Sequence, residues 1–175
     1  MIIQTTRFGQ VELNQEDILN FPEGLLGFAD LRKFVILDDP SDEIFAWLQS
    51  CEEPAIAFPI LEPELFSETY KPTLTKGDLE GAKVASSSEA RFFTIVTIPE
   101  DPTLMTANMK APIVMNAKAR IARQCVLSDN SLAIREPIFT KLQQRVVSNP
   151  SIAIKNQCTG LDVVAIKLRS PEAGV

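Results

Sequence analysis

The sequence predicts a mainly β protein, a small antiparallel β-barrel-like domain with a few short helices. Three observations carry this. Every odd position from Met105 to Met115 is apolar (Met105, Ala107, Met109, Ala111, Ile113, Met115), against Thr106, Asn108, Lys110, Pro112, Val114 and Asn116 at the even positions. That period of two marks a strand with one buried and one wet face. Turn residues recur every 8–15 positions, and no long helical pattern occurs before residue 138. Short strands at such spacing suit a barrel or curled sandwich. Eleven residues from Met105 would span roughly 36 Å, so the central strand is expected to bend, with Pro112 the place, since proline has no N–H for a ladder.

In chain order, Ile2 to Thr6 and Gln10 to Leu13 form a hairpin across Arg7-Phe8-Gly9. Asn14 can cap a short helix near Gln15–Leu19, with Glu16 and Asp17 in its first turn complementing the dipole. Phe21-Pro-Glu-Gly-Leu-Leu-Gly-Phe28 sets four large apolar residues among two glycines and a proline. Such a loop either tucks its side chains into a core edge or offers a greasy patch to a partner. Phe34 to Leu37 is a short buried strand, and Asp38 to Glu43 an acidic turn. Phe45 to Gln49 and Ala55 to Leu61 are strands, the second demoted to an edge or a bulge by Pro59. Thr75-Lys-Gly-Asp78 is a capping box with aspartate for glutamate, which predicts a short helix. Arg91 to Ile98, rich in β-branched and aromatic residues, is a strand. Asn116 to Arg120 is a basic turn, Ile121 to Leu127 the returning strand, and Leu132 to Arg135 a further short one. Phe139 to Val147 has helical spacing, with Phe139, Leu142 and Val146 on one side. Ile152–Lys155 and Leu161–Leu168 can pair as a hairpin.

Composition narrows the function. There is no histidine, which removes the commonest general base and metal ligand. Cys51, Cys125 and Cys158 are odd in number and never paired as Cys-x-x-Cys, which suggests free thiols in a reducing compartment. Cys125, within a predicted strand, reads as an inert thiol. The glycines form neither a G-x-x-x-x-G-K-[ST] nor a G-x-G-x-x-G phosphate cradle. Asp38, Asp39, Asp42 and Glu43 lack the glycine and distal glutamate of a calcium loop, and read as a solvated turn. No apolar run reaches membrane-spanning length, and the N-terminus has no charged stretch followed by an apolar one to mark it for secretion. Residues 1–104 hold 19 of the 23 acids and 7 of the 17 bases, a balance that suits either an acidic face for a basic partner or simply acidic solvated loops. Lys110, Lys118, Arg120 and Arg123 cluster, but without the interleaved aromatics that direct nucleic-acid binding requires.

Met105-Thr-Ala-Asn-Met-Lys-Ala-Pro-Ile-Val-Met-Asn116, followed by Lys118-Ala-Arg120 and Gln124-Cys-Val-Leu127, resembles the signature of the flagellar assembly factor FliW family. So do Gly24-Leu-Leu-Gly-Phe28, Leu48-Gln-Ser50 before Ile56-Ala-Phe58, and Ile95-Val-Thr97, in matching order and spacing. Met109 and Met115 stand where leucine and isoleucine are expected, swaps of similar volume. The resemblance covers residues 1–137 and divides the chain into a FliW-like barrel domain and an extension over 138–175, a short helix with a hairpin packed on the barrel or appended to it. It implies a cytoplasmic, non-enzymatic bacterial protein without cofactor. It further implies binding of the C-terminal region of flagellin and of the RNA-binding translational repressor CsrA, whose antagonism allows flagellin translation. Two regions are the candidate partner surfaces. One is the wet face of the central strand and its turn: Asn108, Lys110, Pro112 and Asn116. The other joins Phe21, Leu25 and Phe28 of the apolar loop to Asp38, Asp39, Asp42 and Glu43. Asn108 and Asn116 equally suit turn-capping roles. The competing readings are a small-ligand or flavin-binding β-barrel enzyme and a direct nucleic-acid-binding barrel.

Overall fold

Alternating apolar residues and regularly spaced turns fold into short strands in the computed structural model, which describes residues 1–39, 44–148 and the backbone of 164–165. The strands among these residues are β1 (Ile2–Thr5), β2 (Gly9–Glu12), β3 (Leu19–Asn20), β4 (Lys33–Asp38), β5 (Ala46–Ser50), β6 (Ala57–Leu61), β7 (Arg91–Thr97), β8 (Thr106–Ala107), β9 (Ile113–Asn116), β10 (Ile121–Gln124), β11 (Glu136–Pro137) and β12 (Val164–Ala165). Helix α1 (Lys76–Ala82) lies between β6 and β7, and α2 (Phe139–Ser148) follows β11. The strands β7-β6-β5-β4-β3-β10-β9 neighbour one another in that order. β9 then pairs back onto β7, with Phe93 opposite Ile113 and Arg91 opposite Met115, which closes a seven-stranded barrel. Closure removes the sheet edges that would otherwise template aggregation. The pairing is antiparallel except at β3–β10 and β4–β12, which are parallel and correct the all-antiparallel expectation.

Two layers of burial explain why β4 and β5 read as continuous apolar runs. Leu19, Phe34, Ile36, Ala46, Leu48, Ile60, Phe93, Ile113, Met115 and Ala122 form one cluster to which all seven barrel strands contribute, so it is the lumen. Val35, Leu37 and Trp47 face the other way, into a second cluster with Ile3, Val11, Ile138 and Leu142. The β1–β2 hairpin and α2 therefore cover the outside of the barrel wall. A third cluster, Ala82, Val84, Val114 and Cys125, seats α1 over β9. Thr75 Oγ1 accepts the Asp78 N–H at 3.1 Å, and the Asp78 carboxylate accepts the Thr75 N–H at 3.0 Å. The reciprocal cap read from the sequence is thus formed.

Several expectations need correction. The long central strand is broken into β8 and β9. Asn108 Oδ1 accepts the N–H groups of Lys110 and Ala111 at 3.1 and 3.0 Å, and this local turn displaces the ladder from Asn108 to Pro112. All six odd positions are nonetheless buried. The even face is not uniformly wet, because Pro112 and Val114 are buried, Val114 beneath α1. β6 is an interior strand, despite Pro59. The Ser50 N–H donates to the Ile56 carbonyl, so the Pro59 nitrogen points away from β5 toward β7, where pairing starts only at Ile60. The helix at Gln15 is a single 3-10 turn ending at Asp17, and β10 stops at Gln124. No strand forms at Leu132–Arg135; the short β11 comes just after, at Glu136–Pro137. The Ile152–Lys155 arm of the tail hairpin lies outside the described residues.

Candidate protein-interaction surfaces

Gln124 organises the first surface. Its Nε2 donates to the Ala111 carbonyl at 3.1 Å and its Oε1 accepts the Leu26 N–H at 2.9 Å. One side chain thus joins the Asn108–Pro112 turn to the Phe21–Phe28 loop, two stretches assigned to separate regions from sequence. Arg123 adds a second tie, with Nε 3.3 Å from a Glu23 carboxylate oxygen and 3.9 Å from Asp78. Leu26 and Val126, each more than half exposed, flank Gln124 and supply the apolar part of this face.

Within the loop the predicted residues divide. Phe21 and Leu25 are buried in the lumen cluster, and Phe28 packs edge-on to Phe58 at 5.4 Å. The loop plugs one end of the barrel, and the large apolar side chain it presents outward is Leu26. The Asn108–Pro112 turn is held by its surroundings. Its backbone exchanges hydrogen bonds with residues 124–133: the Leu127 N–H donates to the Lys110 carbonyl at 2.8 Å, and the Cys125 N–H to that of Pro112 at 3.0 Å. Tyr70 donates its hydroxyl proton to the Met109 carbonyl at 2.7 Å, and burial raises its pKa. Lys110 donates through Nζ to the Asp129 carbonyl and to Asn130. Asn116 stands at the far end of β9. Its Nδ2 donates to the Lys83 carbonyl at 2.7 Å and its Oδ1 accepts the Ala119 N–H, the turn-capping role foreseen for it.

The acidic turn lies elsewhere. β3 pairs with β4 at Lys33 and Phe34, so the apolar loop leaves from one end of β4 while Asp38 sits at the other, roughly 16 Å along the strand. Asp38 and Asp39 are described; Asp42 and Glu43 lie outside the described residues. The grouping of this turn with Phe21–Phe28 is therefore undone. Its neighbour is a second surface, missed in the sequence. Ile44, Met105, Phe139, Leu142, Val146 and Val147 line a mostly apolar groove of about 620 Å³ along α2. Val147 is 80% exposed and the adjoining Leu104 65%, an unusual display for aliphatic side chains. The helical spacing of Phe139, Leu142 and Val146 was the available signal. That spacing puts the three on one side of the helix, and of them only Leu142 is fully buried.

The remaining chemistry is inert. Burial, and next the Asp78 carboxylate, push the Cys125 thiol up to about 12; burial pushes Cys51 to about 11. Neither is an accessible thiolate at neutral pH. Burial raises the Glu62 carboxyl, which its ion pair with Arg91 opposes. Among the described residues no three His, Cys, Asp or Glu side chains gather as a metal-ligand set, and no helix is long and apolar enough to cross a membrane.

A closed barrel with a plugged lumen that presents a tied loop pair and an apolar groove belongs to the class of non-enzymatic regulatory or chaperone-like proteins. The FliW protein family model matches residues 2–138, and the chain belongs to that family of flagellar assembly factors. It is 76% identical over 163 residues to the flagellar assembly factor FliW of Bdellovibrio bacteriovorus, covering 93% of each chain. It is 41% identical to the Leptospira interrogans FliW over 138 residues, 78% of this chain and 92% of that one. A crystal structure of the flagellar assembly factor FliW superposes with a TM-score of 0.74 at 29% identity, over 79% of this chain and 97% of that one.

Proposed function

We propose that this flagellar assembly factor is a cytoplasmic partner switch, which binds the C-terminal region of flagellin and the RNA-binding regulator CsrA and antagonises CsrA so that flagellin is translated. Membership of the FliW family carries this reading. A helical, apolar flagellin end suits the α2 groove, by the helix-in-groove mode. A basic RNA-binding partner suits the acidic end of β4, where Asp38 and Asp39 are followed in sequence by Asp42 and Glu43. Residues 1–137 act as the barrel unit and 138–175 as an extension, of which α2 lines the groove. The surface around Gln124, with Leu26, Phe28, Lys110 and the Asn108–Pro112 turn, is a further contact face. No direct nucleic-acid contact, membrane or cofactor is required, and the flavin-binding enzyme alternative is set aside with the family.

Val147→Glu tests the groove. This residue is 80% exposed, so the substitution leaves stability within about 0.5 kcal/mol. A buried charge in the groove is expected to weaken binding of a flagellin C-terminal fragment tenfold or more by calorimetry, about 1.4 kcal/mol. Unchanged affinity would remove the groove from the flagellin site.

A further inference from the structure

The barrel wall is incompletely paired along one side of β4, and residues 164–165 sit there. β3 covers β4 only at Phe34 and Lys33. Beyond it, Val164 and Ala165 of β12 pair in parallel with Leu37 and Asp38. Exposed edge backbone of this kind is a template for an added strand. The solved FliW is covered to 97% by only 79% of this chain, and the Leptospira interrogans protein to 92% by 138 residues. Those relatives leave little length for a counterpart of β12. The added segment therefore occupies a stretch of edge that the shared barrel does not itself cover.

We infer that the Leu37–Asp38 edge of β4 is a strand-accepting surface, held in cis by residues 164–165, for an extended polypeptide segment that enters parallel to β4 and carries basic residues after its pairing stretch. Main-chain hydrogen bonds supply affinity in such strand addition, and flanking side chains supply selectivity. The charge pattern defines the partner's chemistry. In sequence, β4 runs into Asp38-Asp39 and then Asp42-Glu43, while Ala165 is followed by Ile166-Lys-Leu-Arg169. Basic residues thus follow β12 in sequence as acidic residues follow β4. An intramolecular strand competes at high effective concentration, so an outside segment binds only by displacing it.

A fluorescent peptide with the sequence of residues 160–169 is the probe, titrated by anisotropy into the full chain and into the full chain carrying Val164→Pro and Ala165→Pro. Proline has no N–H for the ladder, so the double variant opens the edge. It is expected to bind the peptide at least tenfold more tightly than the unmodified chain. A peptide with glutamate in place of its lysine and arginine is expected to bind at least fivefold more weakly. Trp47, the sole tryptophan, lies opposite Leu37 on the other side of β4, and its emission checks that the barrel is intact. The single Val164→Pro chain gives the same comparison if the double variant does not fold. Equal affinity for variant and unmodified chain, or no binding to a variant with unchanged Trp47 emission, would overturn the assignment. So would a strand-exchanged dimer of the unmodified chain.

Discussion

Phe34→Ala is expected to lower the unfolding free energy by about 3–5 kcal/mol, read as a fall in the urea midpoint at unchanged slope. Phe34 is fully buried in the lumen cluster and meets Phe21 edge-on, with ring centroids 5.0 Å apart. Truncation removes the transfer free energy of the ring, leaves a cavity that a closed barrel cannot collapse around, and loses an aromatic pair worth about 0.5–1.5 kcal/mol. A typical domain has only about 5–15 kcal/mol in total, so this one change uses much of it. A loss below about 1 kcal/mol would mean that the lumen is not a tightly packed core.

Gly24→Ala is the second large effect, and it acts through the backbone. Gly24 has φ of +67°, and an added Cβ would stand 2.5 Å from the Phe28 carbonyl oxygen and 2.7 Å from Ala29 Cα. These are main-chain atoms that cannot rotate away. The left-handed conformation costs a non-glycine residue about 1–2 kcal/mol, and overpacking adds about 1–3 kcal/mol. A loss of about 2–5 kcal/mol is expected by urea denaturation. Gly27 provides the comparison: its φ is +82°, but an added Cβ meets nothing within 4 Å. Gly27→Ala is therefore expected to lose only the conformational part, about 1–2 kcal/mol. Equal losses at the two positions would show that the tight closure of the loop on Phe28 does not matter.

The contrast between the two glycines reflects what sequence patterning can and cannot convey. Alternation from Met105 to Met115 identified the six buried residues, because burial depends on side-chain period. It could not show the break at Asn108, where a side-chain acceptor outcompetes the ladder for two N–H groups. The Thr75–Asp78 box was legible because a cap is local. Pro59 misled because the tolerance of a strand for proline depends on which neighbour its nitrogen faces, and pairing partners are non-local. The candidate surfaces suffered most. Leu26 and Ala111 meet through Gln124, almost a hundred residues from the loop, and no spacing rule announces such a contact. Asp38 and Phe21 are near in sequence but stand at opposite ends of β4, because a strand carries the chain across the barrel. The α2 groove was written in the Phe139, Leu142, Val146 spacing, but period alone does not tell a covered face from one left open.

A three-component titration tests the partner switch most directly. Purified chain is bound to CsrA, and the C-terminal region of flagellin is added while the CsrA-bound fraction is followed by size-exclusion or anisotropy. Binding linkage requires that if flagellin weakens CsrA binding, CsrA weakens flagellin binding by the same factor. The expected result is release of CsrA as flagellin saturates, with reciprocal loss of flagellin affinity at saturating CsrA. A chain that binds neither protein, or one whose CsrA complex is indifferent to flagellin, would contradict it.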